Sequence, residues 1–225
     1  EYYEDDRKRL AFESRRRGYG GYKLLYNERV TDIEMDGEKI TAVICTNTIT
    51  GLKTKYHTKL ISDCSGDATI ARLAGAEVMY GREAADVFGE SLAPATHENL
   101  VMGHSIRWYS EENDTETDFP DIDWNLNFDD KTCLDVFSGD WEQESGYTRN
   151  MLSEIEYIRD FGLRAIYSNW AYQKNHFGKK QKFAKSYIKW VSPLGGKRES
   201  YRVKGDLILT QNDIEEHRFY EDRTA

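Results

Sequence analysis

Hydrophobic and polar positions divide the chain into stretches of different period. Residues 22–63, "YKLLYNERVTDIEMDGEKITAVICTNTITGLKTKYHTKLISD", alternate with period two between turn signals. Asp36-Gly37 predicts a hairpin turn between "RVTDIEM" and "KITAVICT", and Thr50-Gly51 a second turn before "LKTKYHTKLI". The expected result is a meander of three antiparallel strands running on to Asp63. The pattern then becomes helical over 68–75, with Gly75 as the expected helix end. "VMGHSIRWYS" (101–110) reads as strand. Residues 111–130 form an acidic loop that leads into an amphipathic strand carrying Ile122, Trp124, Leu126 and Phe128 on one face. Over 150–175, Ile155, Ile158, Ile166 and Trp170 mark the stripe of a long helix that tolerates Gly162. "KKQKFAKSYIKWV" fits helix or strand, 193–196 is a loop, and "LIL" (207–209) reads as strand. Thr210 then caps an acidic helix, with Asp213 completing a variant of the capping box.

At the other end, residues 4–17 read as a charged helix that breaks at Gly18-Tyr19-Gly20-Gly21. That cluster is not a dinucleotide fingerprint. Its sixth position is Lys23, and strand rather than helix follows.

Composition narrows the function. A 225-residue chain with 39% hydrophobic and 32% charged residues is of globular type and long enough for a real core. The net charge of −9 argues against a nucleic-acid partner, and the short runs "RKR" (7–9) and "RRR" (15–17) do not reverse it. No apolar run approaches the roughly 18 residues of a membrane span. Cys45, Cys64 and Cys133 lack metal-site spacing, and Cys45 and Cys64 read as buried thiols in apolar runs. Asp121, Asp123 and Asn125 alternate as calcium ligands do, but Leu126 and Thr132 stand where a calcium loop needs Gly and Glu. No metal site is expected.

Candidate chemistry centres on "LISDCSGDATIARLAGA" (60–76), an apolar run that stops in Ser65-Gly66-Asp67 and turns into a helix. A helix start offers backbone N–H groups suited to phosphate. Asp67 has two readings: it accepts a hydrogen bond from a ribose or ribitol hydroxyl, or it caps the helix. His104 is a candidate proton donor near a substrate, or a residue that faces solvent or caps a strand.

The stretch "LISDCSGDATIARLAGAEVMYGRE" resembles a segment of FAD-dependent oxidoreductases. In that family a strand ends in an Asp-x-Thr-Gly-Asp type motif, followed by an Ala-Gly-Ala helix and Gly-Arg-Glu. The preceding meander matches the family's order. "IRDFGLRAIYSNWAYQKN" and "GKRESYRVKGDLILTQNDI" resemble its later segments.

The resemblance implies an α/β fold with α+β character: part of an FAD-binding domain with an antiparallel meander, and a mixed substrate or cap domain. Expected boundaries are 1–88 for the FAD-binding part, 89–192 for the cap, and 193–225 for a segment returning toward the flavin or substrate. Ser65, Gly66 and Asp67 would form a cofactor-facing turn. Arg198, Glu199 and Arg202 would lie in the returning segment. There an Arg would stabilise the reduced isoalloxazine or clamp a substrate carboxylate; the alternative for Arg198 and Glu199 is a structural ion pair.

Ser65 replaces the family's usual Thr, and Ala68 stands where Gly is common. The family's Gly-rich pyrophosphate loop would precede residue 1. The resemblance therefore implies a middle portion of such an enzyme, with weak or absent FAD binding by this chain alone. The expected reaction passes a hydride from a small organic substrate to FAD. The competing readings are a non-catalytic carbohydrate- or protein-binding module, from the Tyr and Trp content, and a remnant that has lost FAD.

Overall fold

The computed structural model describes residues 23–141 and 143–221. The expected helix at 4–17 and the Gly18–Gly21 cluster lie outside them. The chain divides into two compact units at Ser62/Asp63. One long helix, several short ones and small antiparallel sheets together give the chain mixed α/β character.

The first unit holds the meander: β1 (Glu28–Asp36), β2 (Lys39–Asn47) and β3 (Lys53–His57), in the order β1-β2-β3. The pairing Asp36↔Lys39 leaves a two-residue hairpin loop. At the second turn the Asn47 side-chain carbonyl accepts from the backbone N–H groups of Ile49 (3.1 Å) and Thr50 (3.0 Å), closing an Asx-type turn. Across the strands, Thr31 and Thr46 hydroxyls lie 2.7 Å apart, and Lys55 pairs with Glu34 at 2.9 Å. Among the described residues of this unit, Ala42 and Cys45 are the buried apolar ones.

The meander's third strand ends at His57, and no ladder continues to Asp63. Leu60 is 91% exposed and Cys64 is exposed. Both the strand expected at 60–63 and the buried Cys64 thiol are therefore corrected. Two apolar residues without a paired neighbour do not hold a strand.

The second unit is organised around one helix. Its elements are α1 (Thr69–Leu73), β4 (Val78–Met79), α2 (Ala85–Phe88), β5 (His104–Ser105), β6 (Trp108–Glu112), β7 (Ser138–Gly139), β8 (Glu144–Ser145), α3 (Ile155–Asn175), β9 (Ser186–Val191), β10 (Arg202–Val203) and α4 (Gln211–Glu215). The long helix α3 matches the predicted stripe: Ile158, Ile166 and Trp170 are buried. Gly162 is needed because a Cβ there would stand 2.8 Å from Ile106 Cγ1. Ile106, Trp108, Cys133, Ile166, Trp170, Phe177 and Phe183 form the main core. Val101, Met151 and Ile158 form a smaller one. The ambiguous segment after α3 resolves into a 3-10 turn (Lys180–Phe183) followed by β9, which pairs with β6 in the sheet β7-β6-β9.

The amphipathic strand expected around 122–128 does not form. Side chains of α3 take up its backbone instead. Ser168 Oγ accepts from Leu126 N–H (2.9 Å), Arg164 donates to Trp124 O (2.5 Å), and Asn175 donates to Phe119 O (3.0 Å). A loop whose polar backbone is met by a helix needs no partner strand. The "LIL" strand is also absent: β10 lies earlier, at Arg202–Val203, and Leu207 and Leu209 are exposed. The Thr210 capping box forms with both of its hydrogen bonds.

Candidate functional site

The turn at 63–68 is built from its own short polar side chains. Asp63 Oδ1 accepts from Ser65 N–H (3.0 Å), and its Oδ2 accepts from Ile70 (2.8 Å) and Ala71 (3.1 Å) N–H. Ser65 Oγ accepts from Asp67 N–H (3.3 Å) and Thr69 N–H (3.0 Å). The first turn of α1 is thus already satisfied, which corrects the expectation of free N–H groups for a phosphate. Burial alone would raise the Asp63 carboxyl, but the hydrogen bonds from Ser65, Ala71 and Ile70 outweigh it and hold the group below its ordinary value. The helix then ends in a Schellman arrangement, with Gly75 N–H on Arg72 O and Ala76 N–H on Ala71 O. Ala68 adopts φ 51°, ψ 39°, a left-handed conformation that costs a non-glycine residue about 1 kcal/mol.

Asp63 and Ser65 do the capping, so Asp67 does not. Asp67 reaches across to the returning segment instead. Its Oδ1 accepts from Lys197 Nζ and from Ser200 Oγ (2.5 Å), and Ser200 also meets Gly66 O at 3.3 Å. The side chains of Asp67 and Lys197 are only 15% and 17% exposed.

Further contacts join the same two stretches. β4 pairs with β10. Arg72 stacks over Tyr201 at 4.2 Å, and Tyr80 packs on Tyr201 at 4.8 Å. Arg202 donates to Gly81 O (2.6 Å) and Glu83 (2.7 Å). The two motifs read from the sequence, more than a hundred residues apart, therefore form one structure.

The candidate residues fall into two groups. Ser65, Gly66 and Asp67 meet Lys197 and Ser200. Glu199 and Arg202 instead pair with each other at 3.6 Å and line a separate cavity of about 330 Å³ with Arg82, Glu83, Glu90 and Gln211. Arg198 turns to Glu144 on β8 (3.2 Å) and over Trp141, so Arg198 and Glu199 each stand in a structural ion pair, with Glu144 and Arg202 rather than with each other. The sequence does not single out Lys197 and Ser200. The 197–200 segment is neither helix nor strand, so no periodic spacing marks them.

His104 lies on β5, which is flanked by β8 and by a bridge from Ser105 to Gly196. It is 2% exposed and neither ring nitrogen has a hydrogen-bond partner. Neither the solvent-facing nor the strand-capping reading describes it. A Cβ on Gly195 would stand 2.5 Å from Nδ1, so the ring is sealed by the 195–196 loop. Burial, and then the positive charge of Lys197, push the imidazole below its ordinary pKa and keep it neutral.

A neutral buried histidine makes a testable contribution to acid stability. Its folded pKa lies below the unfolded one, so the unfolded chain binds the extra proton first. The contribution is whole above about pH 6.5 and is lost as pH falls, at up to about 1.4 kcal/mol per pH unit. Urea denaturation of the protein at pH values from about 7 to about 5 is expected to show this slope. His104→Leu is expected to remove that part of it. An unchanged slope would place the acid sensitivity elsewhere.

Among the described residues, no cluster of three or more His, Cys, Asp or Glu could hold a metal ion, and no helix is long and apolar enough to cross a membrane. Comparison with known proteins defines the class. A family model described as FAD dependent oxidoreductase matches residues 9–225, and the chain belongs to that family. Its members are flavoproteins that carry out oxidation and reduction. No curated protein and no solved structure gives a match.

Proposed function

We propose that this protein is a flavin enzyme that oxidises a small organic substrate, with FAD held against the 65–67 turn and the 197–200 segment. The observation that carries the reading is the convergence of Asp67 with Lys197 and Ser200, the family's two motif regions, at one largely buried polar centre. The donor set fits FAD. Asp67 offers a carboxylate acceptor for a ribityl hydroxyl. Gly66 stands at φ 77° with open space where a Cβ would be, so its backbone can be approached closely. Lys197 supplies positive charge for phosphate or for negative charge that develops during reaction.

Bound FAD supplies a two-electron acceptor. The chain's own residues bind, orient and exclude water. Asp67 would exchange its Lys197 contact for a cofactor hydroxyl, which frees Lys197 to meet an anion. The sealed, neutral His104 keeps a second positive charge away from Lys197. Arg202 and Glu199, already paired, hold the returning segment to Gly81 and Glu83 and act as positioning residues. The domain limits 1–88, 89–192 and 193–225 go with this reading as the flavin part, the cap and the return.

The experiment is purification of the full-length protein without added cofactor, followed by visible absorbance. Flavin bands that bleach on adding a reductant support the proposal. A folded, colourless protein that does not take up added FAD overturns it.

A further inference from the structure

Separate from the Asp67 centre, the fold leaves aromatic rings open around a small cavity of about 270 Å³. Tyr147, Thr148 and Arg149 line one side, from the loop after β8. Tyr157, Ile158 and Phe161 line the other, from the first turns of α3. Tyr147, Tyr157 and Phe161 are 43%, 52% and 37% exposed. Tyr157 and Phe161 stand four residues apart on α3 and so share a face.

The cavity's charges are all compensated. Arg149 pairs with Glu154 at 2.5 Å and lies 3.9 Å over the Tyr157 ring. Glu144 accepts from Arg198 on one oxygen (3.2 Å) and from the Tyr147 hydroxyl on the other (3.1 Å). A ligand carboxylate or phosphate would meet no unpaired cation here. The Tyr147 hydroxyl donates to Glu144, which leaves its oxygen lone pairs to accept. The exposed Thr148 hydroxyl can donate or accept.

The lining is thus apolar on the ring faces, polar along one edge and neutral overall. A planar hydrocarbon ring would offer no hydrogen-bonding group to the Tyr147 and Thr148 hydroxyls along the polar edge. A sugar ring has the complementary make-up: a C–H face that stacks on an aromatic ring and hydroxyls around its rim. We propose that this cavity binds a neutral pyranose ring. The Tyr157 and Phe161 rings carry its apolar face, and Tyr147 and Thr148 meet its hydroxyls. Tyr147 and Arg198 donate to the two oxygens of Glu144, so a sugar held here would lie near the returning segment.

The test is saturation-transfer NMR on the protein with a panel of methyl hexopyranosides, and with indole and benzoate as planar controls. Saturation is expected on the C–H groups of one sugar face. Tyr157→Ala and Phe161→Ala are each expected to weaken binding about three- to tenfold. Tyr147→Phe, which keeps the ring, is expected to reduce binding less and to shift preference among the hexopyranosides. Thermal melting of each variant checks that the fold is intact. The proposal is overturned if no pyranoside in the panel shows transfer, if only the planar controls do, or if the two alanine variants bind sugar unchanged. The readout involves no flavin, so its failure leaves the oxidoreductase reading standing.

Discussion

Asp67→Asn is expected to lower the unfolding free energy by about 3 kcal/mol and to abolish retention of FAD. The stability loss follows from burial. Both side chains of the Asp67–Lys197 pair are mostly out of water, and Ser200 leans on the same carboxylate. Neutralising Asp67 leaves the Lys197 ammonium in a low-dielectric setting without a counter-ion, and that residual charge dominates the cost. Replacing both partners with apolar residues of similar size, Asp67→Leu with Lys197→Met, removes the stranded charge and should recover most of the stability. Urea denaturation measures both variants.

The pair of variants also separates structure from cofactor binding. If Asp67 holds a flavin hydroxyl, the double variant folds well and still does not retain FAD. If it retains FAD like the unaltered protein, Asp67 serves the fold alone and its assignment to the cofactor is wrong.

What the sequence makes legible is local. The meander needs only period-two alternation and two turn signals. Helix α3 needs only its stripe, and the Thr210 box only two residues three apart. The strands expected at 60–63, 122–128 and 207–209 fail because a strand exists only with a partner. Leu60, Leu207 and Leu209 are exposed and unladdered, and the backbone around Leu126 is satisfied by Ser168 and Arg164 from a distant helix.

The site is half legible for the same reason. Ser65-Gly66-Asp67 and "GKRES" each stand out, but a contact across 130 residues leaves no periodic trace. By residue type Arg198 is the stronger anion ligand, yet Lys197 makes the contact and Arg198 turns to Glu144. Nor does "MGHSIRW" show that His104 is sealed. The glycine that seals it lies at 195.

The core offers the other large effect. Trp170→Ala is expected to destabilise the protein by about 3–5 kcal/mol, and Trp170→Phe by much less. Trp170 is fully buried at the middle of the main core, edge-on to Trp108 (5.6 Å) and to Phe183 (5.9 Å). Truncation to Ala removes those ring contacts and leaves a void between α3 and β6 that close-packed neighbours fill only in part. Phenylalanine keeps one ring in place and loses the five-membered part of the indole. It also removes a polar group: the Trp170 Nε1–H is buried with no acceptor. An unsatisfied buried N–H costs about 1–3 kcal/mol, so its deletion offsets much of the lost packing. Denaturation midpoints in urea for the two variants decide the matter. Equal losses would mean that the indole N–H finds an acceptor in solution, such as a trapped water, and that Trp170→Phe forfeits a hydrogen bond rather than shedding an unsatisfied donor.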